Sequence, residues 1–143
     1  MGNAKDLNRF LIAQKTDYDS ALAEIRSGRK RTHWMWYIFP QVQGLGFSET
    51  SRFYAIRDRA EAEQYLKHPE LSARLIEICN ELLKVPGNNA SQIFGSPDDM
   101  KLKSSMTLFN SLPGADPVFQ QVLQKFFQGK PDVRTMQIIG QMD

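Results

Sequence analysis

Residues Arg29 to Gly46 read RKRTHWMWYIFPQVQGLG, and the fold class turns on how this stretch is read. Both tryptophans of the chain, Trp34 and Trp36, lie in it, and His33, one of two histidines, stands immediately before them. From Trp34 to Pro40 no polar residue interrupts the run except Tyr37. A run of this kind is buried, because water gains too much by its removal. As a strand it would turn His33, Met35, Tyr37 and Phe39 to one side and Trp34, Trp36 and Ile38 to the other. Both sides are apolar, so periodicity alone does not separate strand from buried helix. We take residues 33–40 as an extended, buried aromatic segment ended by Pro40. A loop from Gln41 to Gly46 follows, with Gly44 and Gly46 as its flexible points. Burial of the run sets His33 and Gln41 at the mouth of the buried region.

Working outward, every other segment carries helix signals. Leu7, Phe10, Leu11 and Gln14 open a helical pattern that Tyr18, Ala21, Leu22 and Ile25 continue at three- and four-residue spacing. Thr16 or Asp17 could start the second part as a separate helix, and Gly28 sits where a helix-ending glycine belongs. Ser48 and Asp58 are caps for two further helices, the second running to His68, where Pro69 breaks it. Leu71, Leu75, Ile78, Cys79, Leu82 and Leu83 form the clearest amphipathic helix, stopped at Pro86-Gly87. Asn89 and Gln92 are spaced as a capping box. Ser96-Pro97-Asp98-Asp99 reads as cap, first-turn proline and acids at a helix start, and Asp116-Pro117 repeats the pattern. Asp132 opens a last helix with Val133, Met136 and Ile139. The expected architecture is an all-α, irregular bundle of seven or eight short helices, one globular helical domain over residues 1–143.

Composition narrows the function classes. A chain of 143 residues suits one domain, with a core large enough to need no staple. The single cysteine, Cys79, has no partner for an internal disulfide and suits a reducing, cytoplasmic setting. No run of eighteen apolar residues is present, so no membrane span is expected. The start MGNAKDLNRF lacks an apolar core and a cleavage pattern, and Asp6 spoils a myristoylation signal. A net charge of +2 and an isoelectric point of about 8.7 argue against a nucleic-acid partner, whose binders carry a basic stripe. The one basic cluster, Arg29-Lys30-Arg31, follows a helix end, where cations complement the dipole.

Four blocks are distinctive in order and spacing. They are His33 to Gln41; Gly44-Leu45-Gly46 with Ser48, Ser51 and Tyr54-Ala55-Ile56-Arg57-Asp58; Ile93 to Phe109; and Phe126-Phe127 with Gly129-Lys130-Pro131-Asp132 and Thr135. In these blocks, and from about Asp6 to Ile139, the chain resembles the domain-of-unknown-function family numbered eighteen-ten. The resemblance implies an all-α fold. It implies no substrate, cofactor or catalytic residue. Bacterial members have been labelled calpastatin-like, but calpastatin is a disordered inhibitor, whereas this chain has the apolar content and helix punctuation of a globule.

The candidate chemistry gathers near the aromatic stretch. His33 carries an imidazole able to move a proton or bind a ligand oxygen, so it is the candidate catalytic residue. A satisfied histidine beside a tryptophan is the plainer alternative. Trp34 and Trp36 share a face if the segment is extended, and a shared face is what stacking on a flat ligand needs; core packing is the alternative. Gln41, Ser48, Ser51 and Arg57 form a polar set around the glycine-bearing loop, with Arg57 suited to an anionic group. The loop matches no nucleotide-binding fingerprint. Lys101 shares a helix face with Ser104 and Ser105, a pairing that serves a nucleophile only inside a pocket. No metal site is expected, since neither histidine has an acid or cysteine at ligand spacing. Cys79 belongs to an apolar face and reads as inert. The leading expectation is a small-molecule ligand pocket walled by Trp34, Trp36 and Tyr54, with His33, Gln41, Ser51, Arg57 and Lys101 as its polar groups, catalytic if His33 acts as a base. No cofactor is implied. The alternative is a non-enzymatic protein-interaction module in which the aromatic segment is only core. Oligomeric state is left open by the residues.

Overall fold

A computed structural model of the chain describes residues 6–141. Among them the backbone forms nine helices: α1 (Asn8–Arg26), α2 (Met35–Ile38), α3 (Glu49–Tyr54), α4 (Arg59–Lys67), α5 (Pro69–Lys84), α6 (Ala90–Phe94), α7 (Asp98–Asn110), α8 (Val118–Phe127) and α9 (Val133–Gly140). The fold class is all-α. Within the described residues the only β-type pairing is an isolated parallel bridge between Val42 and Ile56. The expectations for the Met1-Gly2 start lie outside the described residues.

The local punctuation explains most boundaries. Ser48, Asp58, Asn89 and Asp132 each accept a backbone N–H two or three residues on, which satisfies donors that a helix start leaves orphaned. His68 does the same for α5: its Nδ1 accepts from Glu70 and Leu71 at 3.2 and 3.3 Å. Two boundaries differ from expectation. Thr16 and Asp17 lie inside one unbroken α1. Ser96 does not cap α7, because the Asp99 N–H goes to the Gly95 carbonyl at 2.9 Å and the helix begins at Asp98.

The larger correction concerns the aromatic stretch. It is not extended. Met35–Ile38 closes one helical turn, entered from Trp34 and left at Phe39. The reason is backbone hydrogen bonding. A buried extended run needs a partner strand for its N–H groups, and the bundle supplies none. The turn satisfies them internally: Ile38 N–H donates to the Trp34 carbonyl and Phe39 N–H to that of Met35, both at 3.1 Å. Helical spacing then sorts the side chains. Trp34, Met35, Ile38 and Phe39 are buried, while Trp36 and Tyr37 stay half-buried. The two tryptophans therefore do not share a face.

The core is built around α5, which packs on α1, α4 and α8, while α7 packs on α6, α8 and α9. Phe10, Tyr65, Phe109 and Phe119 run through it as a chain of rings with centroids 5.2, 5.3 and 5.9 Å apart. Each of these rings is fully buried, at roughly 1.5–3 kcal/mol apiece. One ion pair lies in the same interior: Arg9 of α1 meets Glu61 of α4 at 3.0 and 3.2 Å. Arg9 also donates to the carbonyls of Phe53 and Ala55, both at 2.8 Å. A buried cation thereby ties down the end of α3, where helix carbonyls lack partners. No helix among the described residues is long and apolar enough to cross a membrane.

Candidate functional site

The loop after the aromatic turn returns on itself. Ile56 N–H donates to the Gln41 carbonyl at 2.8 Å, and Gln43 N–H to the Ile56 carbonyl at 2.9 Å. These two bonds fix both ends of a concavity of about 340 Å3 between the turn, the loop and α3. Trp36 and Tyr54 supply its aromatic walls, Gln41 and Ser51 its buried polar ones, and Phe47 and Arg52 its exposed edge.

The loop approaches α3 so closely that only glycine fits at position 46. A Cβ there would stand 2.6 Å from both Cβ and Oγ of Ser51, and 3.4 Å from the Trp36 ring. Ser51 is held from the other side. Its N–H donates to Ser48 Oγ at 3.1 Å, and its hydroxyl donates to the Ser48 carbonyl at 2.9 Å. The hydroxyl proton is thus already committed, so Ser51 shapes the wall rather than acting as a free donor.

Gln41 is different. It is only 6% exposed, and its Nε2 has no hydrogen-bond partner among the described residues. An unpaired buried amide costs about 1–3 kcal/mol. Among the described residues the only other such side-chain atom is Ser105 Oγ, inside α7. Gln41 is also one of the residues that line the concavity.

Trp36 is braced from behind. Lys101 Nζ lies 4.1 Å from its ring centroid and 2.9 Å from Asp98 Oδ1. The second oxygen of Asp98 takes Lys30 Nζ at 3.0 Å, and Lys30 in turn lies 5.0 Å from the Trp34 ring. Partial burial works against ionisation of Asp98, but the hydrogen bonds from Lys101 and Lys30 outweigh it and hold its carboxyl below the usual range. Each tryptophan is thus clamped by a lysine, and one carboxylate joins the two lysines.

The expected site residues divide accordingly. Trp36, Gln41, Ser51 and Tyr54 line the concavity, and Lys101 reaches it through the Trp36 ring. Trp34 is core, 1% exposed, with its indole N–H donated to Glu24 at 2.9 Å. His33 is exposed and lines none of the concavity. The helical turn buries the residues after His33 and leaves its side chain outside. Arg57 is exposed too, and is engaged with Glu61 at 3.4 Å. Ser104 donates to the Met100 carbonyl within its own helix. Burial pushes the Cys79 thiol well above its ordinary range, with the charge of Asp116 adding to the effect.

Other residues were missed from the sequence. Phe47 and Arg52 sit on the concavity's edge, and no local pattern marks them. Arg9 and Glu61 are buried next to the core positions Phe10 and Ala62, and no local pattern separates them from the exposed charges of the same helices. Glu24 accepts from Arg31 N–H, Thr32 N–H, the Thr32 hydroxyl and the Trp34 indole. Partial burial disfavours its charge, but these four bonds prevail and hold its pKa at about 2.

Among the described residues lining the concavity there is no histidine, carboxylate, lysine or cysteine. Ser51 therefore has no base beside it. Among the described residues no group of three His, Cys, Asp or Glu side chains is placed to hold a metal ion.

A family model described as "Protein of unknown function (DUF1810)" matches residues 4–139. The solved structure of the conserved hypothetical protein Rv1873 from Mycobacterium tuberculosis is 43% identical in sequence, with a TM-score of 0.92 over 96% of this chain and 99% of that one. Among curated proteins nothing matches.

Proposed function

The chain belongs to the DUF1810 family of proteins of unknown function, and within that family we propose that it binds a small, flat molecule in the concavity between Trp36, Gln41 and Tyr54. The observation that carries this reading is the buried, unpartnered Nε2 of Gln41. A buried donor without a protein partner at the edge of a cavity costs stability unless water or a ligand acceptor completes the bond. The volume of about 340 Å3 lies at the small end of ligand pockets, and aromatic walls with few polar groups are their usual lining. Trp36 offers a ring already clamped by Lys101, so little side-chain freedom is lost when a ligand stacks on it. Among the described residues that line the pocket there is no histidine, carboxylate or lysine, so the proposed activity is binding, and His33 is given no part in it.

A protein-interaction module is the second reading. Exposed Ile12, Phe47, Met100, Val133 and Met136 speak for it. They are spread over α1, the pocket loop, α7 and α9, with Val133 and Met136 one turn apart on α9 as the one neighbouring pair among them.

A thermal-shift screen against planar metabolites tests the proposal on the native protein, Gln41→Leu and Phe47→Ala. A ligand at a hundredfold its dissociation constant adds about 2.7 kcal/mol, a shift of several degrees. Gln41→Leu removes the orphaned amide, so its unliganded stability is expected to hold or rise while the ligand shift disappears. Phe47→Ala changes an exposed side chain, so only the ligand shift is expected to shrink. Shifts that survive in both variants would place the ligand elsewhere, and a complete absence of shifts would remove the proposal.

A further inference from the structure

The edge of the same pocket carries one unusual charge. We infer that the ligand bears an anionic group, a carboxylate or phosphate, and that Arg52 is the residue that selects it. This rests on the pocket reading above.

Among the described residues lining the concavity, Arg52 is the only one that carries a formal charge at neutral pH. It makes no ion pair among the described residues, although Glu49 stands one turn earlier on the same helix. By contrast, Arg9, Arg26, Arg57 and Arg74 each have a carboxylate within 3.4 Å. The other arginines without such a partner line no part of this cavity. A guanidinium presents a planar fork of donors matched to carboxylate and phosphate oxygens.

The charge behind Trp36 has the same sign. Lys30 and Lys101 both pair with the carboxylate of Asp98, and of the two it is Lys101 that sets its ammonium against the Trp36 ring. A cation already occupies one side of the Trp36 ring, 4.1 Å from its centroid. A second cation on the pocket side would meet repulsion rather than the attraction an aromatic cage provides. Trp36 and Tyr54 thus serve a neutral or electron-poor ring, and the ligand's charged end lies toward Arg52 at the solvent edge.

Three probes with one ring system separate the possibilities: indole-3-acetate, indole-3-acetamide and tryptamine, titrated calorimetrically into the native protein, Arg52→Gln and Gln41→Leu. The expected result is roughly tenfold tighter binding of the acetate than of the acetamide, with tryptamine weakest. Arg52→Gln brings the acetate down to the level of the acetamide and leaves the acetamide unchanged. Raising the salt concentration weakens the acetate alone. Equal binding of acetate and acetamide, or tightest binding of tryptamine, overturns the anion inference; the pocket reading survives that result if Gln41→Leu abolishes binding. If none of the three probes binds, both fall.

Discussion

Gln41 and Ser105 pose the same local problem, a buried polar atom without a partner, and the structure gives them different surroundings. Ser105 lies within α7 and lines none of the cavities described, whereas Gln41 lines one. Removing an unpaired hydroxyl removes its desolvation cost, so Ser105→Ala is expected to be neutral or stabilising by up to about 1 kcal/mol in urea unfolding. A loss of more than that would mean that Ser105 has a partner, such as an ordered water. Glu24 makes the opposite case, an acid with every nearby donor directed at it. Its folded pKa of about 2 lies below its ordinary value of 4.5. The stability it adds is therefore fully present above pH 4.5 and is lost as pH falls through about 2. Urea midpoints measured from neutral pH down into that window should fall less steeply for Glu24→Gln than for the native protein. Parallel curves would contradict the hydrogen bonding that holds Trp34 in place.

At the scale of elements, α1, α3 and α4 meet at one buried cation. Arg9→Met leaves the buried Glu61 with the half-exposed Arg57 as its remaining ion partner and frees the carbonyls of Phe53 and Ala55. A single break of this kind costs roughly 3–5 kcal/mol, a large part of the stability of a domain. Arg9→Met with Glu61→Leu is expected to recover part of that loss, measured by urea unfolding; a double variant worse than the single would show that the pair is not the coupling. The same elements show what the residues could and could not disclose. The caps Ser48, Asp58, Asn89 and Asp132 were legible because the bond each makes is local. The grouping of Trp36, Gln41, Ser51 and Tyr54 was legible because a short loop and a short helix connect them. The meeting of Arg9 with Glu61, and of Lys30 with Asp98, depends on helices far apart in sequence, so it was not. The expectation that His33 faced the pocket failed with the extended segment on which it rested. A single helical turn, chosen by backbone hydrogen bonding, reversed which side chains point inward.

For the molecule as a whole, the bundle places its cavity at a loop rather than between its long helices. The helix α8 packs against both α5 and α7, and α5 packs on α1 as well. A second, larger concavity of about 510 Å3 lies between α4, α5 and the turn at Leu112–Asp116, but among the described residues no unpartnered buried polar atom lines it. The pocket beside the aromatic turn is the place where packing, an unpaired donor and an unpaired cation coincide. The most direct measurement is a crystallographic screen in which small planar fragments are soaked into the protein. Fragments are expected between Trp36 and Tyr54, with an acceptor atom within hydrogen-bond reach of the Gln41 amide and acidic fragments turned toward Arg52. Fragments that gather in the concavity at Leu112–Asp116, or that leave the Trp36 pocket empty throughout, would contradict the assignment of this pocket as the ligand site.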